Sequence, residues 1–163
     1  VKFFMPCVPP KSTHQASLRI ITPKDGRKPF VGKYESSKGK LAQNFLATLL
    51  MPHAPAEAFE GPVTVSVYWT YPWRVADTKK RRAAGWQPCY TKPDCDNLCK
   101  TLFDCMTRLG FWEDDSRVAS LRFTKGWGDR PGIHIEIKKW SGLGNYGRAC
   151  VGAEEFLAGQ GGK

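Results

Sequence analysis

Apolar and polar residues alternate most cleanly over 62–71, where Val63, Val65 and Val67 are separated by Thr64 and Ser66 and run into Tyr68, Trp69 and Tyr71. Period-two alternation of β-branched and aromatic residues predicts a strand with one face buried. A helical period appears twice. Over 38–51, Leu41, Phe45 and Leu49, with Ala42, recur at helical spacing, and Pro52 and Pro55 close the run. Over 96–109, Leu98, Leu102, Cys105 and Leu109 form one apolar stripe, and Gly110 is placed to end the helix. Residues 3–8 read as a short strand stopped by Pro9-Pro10. The span 11–33, punctuated by Pro23, Gly26, Pro29 and Gly32, reads mainly as loop with a brief strand over 17–22. Two alternating runs, 118–124 and 133–137, are expected to pair as a hairpin through 126–132. Residues 1–140 suffice for one domain, followed by a glycine-rich tail over 141–163 with a short helix around 153–157.

At 163 residues the chain is about one domain long and can bury a core without staples. It contains no uninterrupted apolar stretch long enough to span a bilayer. Its first ten residues lack the basic start and apolar run of a signal peptide, so a cytoplasmic location is expected. Lys and Arg number 25 against 15 Asp and Glu, a net charge of +10, which points to a polyanionic partner. Without a basic amphipathic helix or lipidation signal, nucleic acid is expected rather than a membrane, the bland alternative being a basic protein with no polyanion at all. The long connection over 72–93 carries Arg74, Lys79, Lys80, Arg81 and Arg82, then Lys92, interleaved with Trp73, Trp86 and Tyr90. These cations are candidate phosphate contacts; the bland alternative is a solvated charge run. The cysteines at 7, 89, 95, 99, 105 and 150 lack paired C-x-x-C spacing, and three of them lie in or beside the second helix. Semi-buried thiols are expected, not a zinc site or a disulfide framework.

Against this basic background two acidic clusters flank the second helix: Asp94-Cys95-Asp96-Asn97-Leu98-Cys99-Lys100 before it and Glu113-Asp114-Asp115 after it. Asp96 is the candidate N-cap. If the chain stays extended through 94–96, Asp94 and Asp96 point to one side, whereas in a continuous helix they would lie about 200° apart. Convergent carboxylates suit Mg²⁺, which lets a phosphodiester approach and activates water. Lys100 could stabilise the phosphate's developing charge. The ordinary alternative is a capped helix carrying a salt-bridge ladder of Asp96, Lys100, Asp104 and Arg108, with 113–115 as a solvated turn.

The run Asp94-Cys95-Asp96-Asn97-Leu98-Cys99-Lys100, a helix with Phe103-Asp104, and then Gly110-Phe111-Trp112-Glu113-Asp114-Asp115 and Val118 resemble the RusA-type Holliday junction resolvases, dense over about 91–118 and looser over 1–139. The resemblance implies a compact α+β domain, with a small mixed β-sheet packed against two main helices. It also implies a homodimer on branched DNA. Asp94, Asp96 and Asp115 would hold Mg²⁺, with Mn²⁺ as a substitute, and Lys100 would take the catalytic lysine position. Asp114 and Asp115 are not separable as the third carboxylate by physical argument. The implied activity is resolution of four-way junctions by paired, symmetric incision, in a bacterial or phage setting. Phe111 and Trp112 are candidates for stacking at the junction centre, with core packing as the alternative. Trp69 is assigned to the core or a subunit interface; His14, His53 and His134 are too scattered to form a catalytic set. The long connection before Asp94 and the tail depart from the family pattern and leave room for flapped or other branched DNA. A non-catalytic basic DNA-binding module is the remaining alternative.

Overall fold

The computed structural model describes residues 1–12, 16–35 and 37–141. In chain order the elements are β1 (Lys2–Pro6), β2 (Ala16–Ile21), β3 (Phe30–Glu35), α1 (Ser37–Leu50), β4 (Val63–Pro72), α2 (Lys79–Ala83), β5 (Gln87–Pro88), α3 (Cys95–Arg108), β6 (Val118–Gly128) and β7 (Gly132–Lys139). Short 3-10 turns lie at Met51–His53 and Asp115–Arg117. One mixed sheet runs β1-β7-β4-β6-β5, and β2 and β3 form a separate antiparallel pair. With α1 and α3 packed on the sheet this is an α+β fold, as the family resemblance implies. The tail helix expected around 153–157 lies outside the described residues, as do His14 and Cys150.

β4 organises the sheet. Val63, Val65, Val67, Trp69 and Tyr71 are all buried, while the intervening residues are half-buried or exposed. A strand so apolar needs partners along both edges, and it has them: β6 runs parallel on one side and β7 antiparallel on the other. This corrects the expected hairpin. β6 and β7 follow one another in sequence but flank β4 and do not pair with each other. The span 11–33 is also more ordered than its glycines and prolines suggest, because β2 finds a partner in β3. Phe30 and Val31 stay exposed there, so no alternating buried face marks β3 in the sequence.

Helix α3 lays Leu98, Leu102, Cys105 and Met106 into the core. It ends as Gly110 predicts: the amide of Gly110 donates to the Thr107 carbonyl at 3.0 Å and that of Phe111 to the Met106 carbonyl at 3.1 Å. Gly110 takes φ +75°, which a residue with a Cβ adopts only with strain. The turn delivers Phe111 and Trp112 into the core, where they are 0% and 1% exposed. Trp112 packs edge-on against Phe103 at 5.3 Å and donates its indole N–H to the Thr107 hydroxyl at 2.8 Å. Neither ring is available to stack on DNA, so the junction-stacking role is withdrawn and the core alternative holds for both. On α1 the buried residues are Gly39, Ala42, Leu46 and Leu50, whereas Leu41 is 67% and Phe45 41% exposed. The helix forms where its spacing predicts, but Leu41 and Phe45 of the apolar stripe that marks it face outward, while Ala42 and Leu49 pack inward.

Leu102 is completely buried and Leu121, on β6, is 45% exposed. Leu102→Ala should therefore lower unfolding free energy by about 2–5 kcal/mol, and Leu121→Ala by no more than about 0.5 kcal/mol. Urea titrations of both variants check this, and equal losses would mean that the core is not where the burial pattern puts it.

Candidate active site

The acidic run sits where the chain leaves the sheet for α3. Asp94, not Asp96, occupies the N-cap: its backbone is extended (φ −76°, ψ 149°) and its carbonyl accepts the first helical bond, from the Leu98 amide at 3.2 Å. Asp96 already lies in the first helical turn. The two acids thus straddle the loop-to-helix boundary and do not share one extended stretch. Carboxylates are favoured at a helix N-terminus by its dipole. Yet the Asp94 side chain makes no capping hydrogen bond. The ladder from Asp96 to Arg108 is absent as well, because no ion pair joins its members among the described residues. Arg108 instead donates to Cys105 Sγ at 3.4 Å. Lys100 is exposed and makes no ion pair among the described residues.

Elsewhere most acids are engaged. Asp25 pairs with Arg27, Glu113 with Arg117, and Glu136 with Lys138. Asp129 accepts the indole N–H of Trp73 at 2.7 Å. Asp114 caps the 3-10 turn by accepting from the Ser116 amide at 2.9 Å, and the Ser116 side chain, then this amide, hold its carboxyl below the ordinary range. Among the described residues, the side chains of Asp94, Asp96, Asp104 and Asp115 are left without a hydrogen bond or ion pair, together with those of Glu57 and Glu60 on the loop whose Phe59 amide donates to the Phe111 carbonyl at 2.8 Å. Asp104 and Asp115 line a cleft of about 380 Å³ with Gln43, Thr107, Arg108 and Asp114. Asp115 also joins Asp96 in the electrostatic surroundings of Cys99, whose thiol is pushed up to about 12 by burial and then by these carboxylates and Cys95. The cysteines at 7, 89, 95, 99 and 105 are free thiols. Among the described residues no group of three or more His, Cys, Asp or Glu closes on one point to hold a metal ion.

The basic connection is folded, not loose. Asp77, 6% exposed, takes Arg74 in a two-pronged pair at 2.8 and 3.3 Å and lies 3.4 Å from Arg81. Its backbone carbonyl accepts from Arg82 at 3.1 Å. The Arg74 and Arg81 guanidinium groups stand over the Trp127 ring of β6 at 4.3 and 5.6 Å. Trp86 lies across the same strand: a Cβ on Gly126 would come within 2.2 Å of its ring. Much of the capacity of Arg74, Arg81 and Arg82 is thus spent inside the fold. Lys79, Lys80 and Lys92 remain exposed.

One residue that sequence reasoning did not single out touches this region. Lys125 of β6 donates from its ammonium to the carbonyls of Thr91, at 2.6 Å, and Pro93. It lies thirty residues beyond the motif, on a strand whose pattern gives no hint of the contact.

The start of α3 thus carries carboxylates without side-chain partners and an exposed lysine one turn on, and the basic connection that precedes it is folded. Residues 8–138 match the endodeoxyribonuclease RusA family, and the chain belongs to it. It is 33% identical over 113 residues to the crossover junction endodeoxyribonuclease rusA of Lactococcus phage r1t, covering 69% of this chain and 83% of that protein. It is also 30% identical over 112 residues to the uncharacterized protein YqaN of Bacillus subtilis strain 168, covering 66% of this chain and 78% of that one.

The Arg74 guanidinium holds the Asp77 carboxyl down at about 2, below its ordinary 3.8. A depressed carboxyl contributes stability that is present above its unfolded value and lost as pH falls through the folded one. Tryptophan emission from the 72–93 segment should therefore change between pH 3.8 and about 2. In Asp77→Asn the emission should already be shifted at neutral pH and flat across that window. Identical titrations of the two proteins would remove Asp77 as the anchor of the segment.

Proposed function

We propose that this chain resolves four-way (Holliday) junctions as a homodimer, by divalent-metal-dependent hydrolysis of paired phosphodiesters on opposed strands. The observation that carries the reading is the set of carboxylates left without partners, Asp94, Asp96 and Asp115, in a family of endodeoxyribonucleases whose phage relative is named for crossover junctions. Hard carboxylate oxygens fit Mg²⁺, with Mn²⁺ as a substitute. The three carboxylates do not close on one point, which suits an ion commonly held by one or two carboxylates, waters and the substrate's own phosphate oxygens. When bound there, the ion supplies charge neutralisation and an acidified water. Asp115 is favoured over Asp114 as the third carboxylate, because Asp114 is committed to its turn. Lys100 presents an unpaired ammonium to the phosphate, and Lys79, Lys80 and Lys92 track the backbone on either side.

Two coupled incisions need two sites, and a two-fold dimer matches a two-fold junction. A largely apolar depression of about 380 Å³ suits such a contact. Val8, Pro10, Leu41, Ala42 and Phe45 line it together with Lys11, Ser12 and Lys38, with Val8 63% and Leu41 67% exposed.

A labelled four-way junction and a linear duplex of the same sequence, each with and without Mg²⁺, test the reading on a denaturing gel. Paired nicks on opposed strands of the junction alone are expected, and only with metal. Nicks confined to flaps or forks would move the substrate class; binding to both DNAs without nicks under any divalent metal would leave a non-catalytic module. Asp94→Asn and Asp96→Asn should each cut roughly 10²-fold or more slowly, the scale of losing an electrostatic contact to the reacting group. Their junction affinity should be unchanged or tighter, since negative charge facing phosphate is removed.

The DNA-contact assignment is tested by Lys79→Ala combined with Lys80→Ala. Junction affinity should fall, and the slope of log K against log salt should become shallower by about 0.9 per lost phosphate contact. An unchanged slope would mean that α2 is a solvated helix and not part of the DNA surface.

A further inference from the structure

The segment between β5 and α3 is tied to a single residue of β6 at every second position. The Cys89 amide donates to the Lys125 carbonyl at 2.9 Å, extending the β5–β6 ladder by one bond. The Lys125 ammonium then donates to the Thr91 carbonyl at 2.6 Å and to the Pro93 carbonyl. The next residue is Asp94. Residues 89, 91 and 93 are thus all referred to one point on the sheet, and Asp94 leaves that point in a fixed direction. Lys125 is half-buried and forms no ion pair among the described residues. One ammonium shared between two neutral carbonyls, part of it still open to solvent, ties both to a single point with charge-assisted bonds.

We infer that Lys125 is a positioning residue for the acid site: it fixes the backbone that presents Asp94, and through it the metal-binding carboxylate. The inference rests on the reading of Asp94 given above. Lys125 acts through Asp94 and does not touch the substrate, which separates it from Lys100 and from the phosphate-facing lysines of α2. Outer partners that orient a ligand of this kind are worth roughly 10–100-fold in metal affinity or activity.

The test compares the full chain with Lys125→Met and Lys125→Arg. In Lys125→Met, single-turnover cutting of a four-way junction should fall roughly 10–100-fold. Mn²⁺ binding without DNA, read from the free-ion EPR signal, should weaken by a similar factor. Junction affinity measured without divalent metal should stay within about twofold of wild type and keep its salt slope, because no phosphate contact has gone. Lys125→Arg, able to donate to both carbonyls, should recover most of the loss. A Lys125→Met protein that binds Mn²⁺ and cuts like wild type overturns the inference. So does one that loses junction affinity and salt slope together, since that makes Lys125 a phosphate contact. Should Lys125→Met fail to fold by circular dichroism, Lys125→Gln must show the same split between weakened Mn²⁺ binding and intact junction affinity; equal losses overturn the role. A wild-type chain that neither cuts nor binds Mn²⁺ removes the reading of Asp94 and this inference with it, whereas a cutting wild type matched by Lys125→Met removes only Lys125.

Discussion

A ten-residue strand with every second side chain buried has to satisfy its backbone along both edges, because an open edge beside a dry face leaves amides and carbonyls without partners. For β4 that requirement sets the topology. The chain supplies β6 and β7 on opposite sides of it, and the short connection between them crosses its end, where Trp73 bonds Asp129. Once β6 is fixed beside β4, its outer edge is open, and β5 pairs with it. The basic connection must then fold back over that edge, and α3 starts from its far end. The acidic run reaches its place through this sequence of constraints, not through packing of its own.

The same constraint explains which elements were legible in the sequence. β4 could be read because its alternation reports a buried face directly, and α3 because its stripe and Gly110 are local signals for a helix and its stop. The expected pairing of β6 with β7 failed since sequence adjacency favours hairpins, while the partner preference of β4 is a property of the whole sheet. The inward face of α1 was not legible either: Leu41 and Phe45 are as apolar as Leu46 and Leu50, and only the packed sheet decides between the two faces. Phe111 and Trp112, set between a helix stop and an acidic turn, look like surface aromatics until the Schellman turn at Gly110 carries them inward.

At the site, the residue types and their spacing could be read, while their states could not. Whether an acid is spent on a cap, a turn or an ion pair depends on geometry of a few tenths of an ångström. Asp114 and Asp115 are indistinguishable as neighbours in sequence; the Ser116 amide separates them. The charge run at 79–82 divides in the same way. Asp77 and Trp127 draw Arg74 and Arg81 into the fold, and the Arg82 guanidinium bonds the carbonyls of Asp77 and Arg74. A net charge of +10 therefore overstates the surface available to a polyanion near the site.

Arginine and lysine are divided here by what each can do. A planar guanidinium can pair with Asp77 and lie on Trp127 at once, so the arginines serve as internal fasteners of the long connection. An ammonium offers no such stacking face. On α2 the lysines are left to solvent, where their charge remains usable, and on β6 Lys125 serves as a point donor to two carbonyls. Fastening the connection to Trp127 and the acidic run to Lys125 refers both to neighbouring residues of one strand. The basic surface and the carboxylates are then held in a common frame even though each is carried by a different stretch of loop.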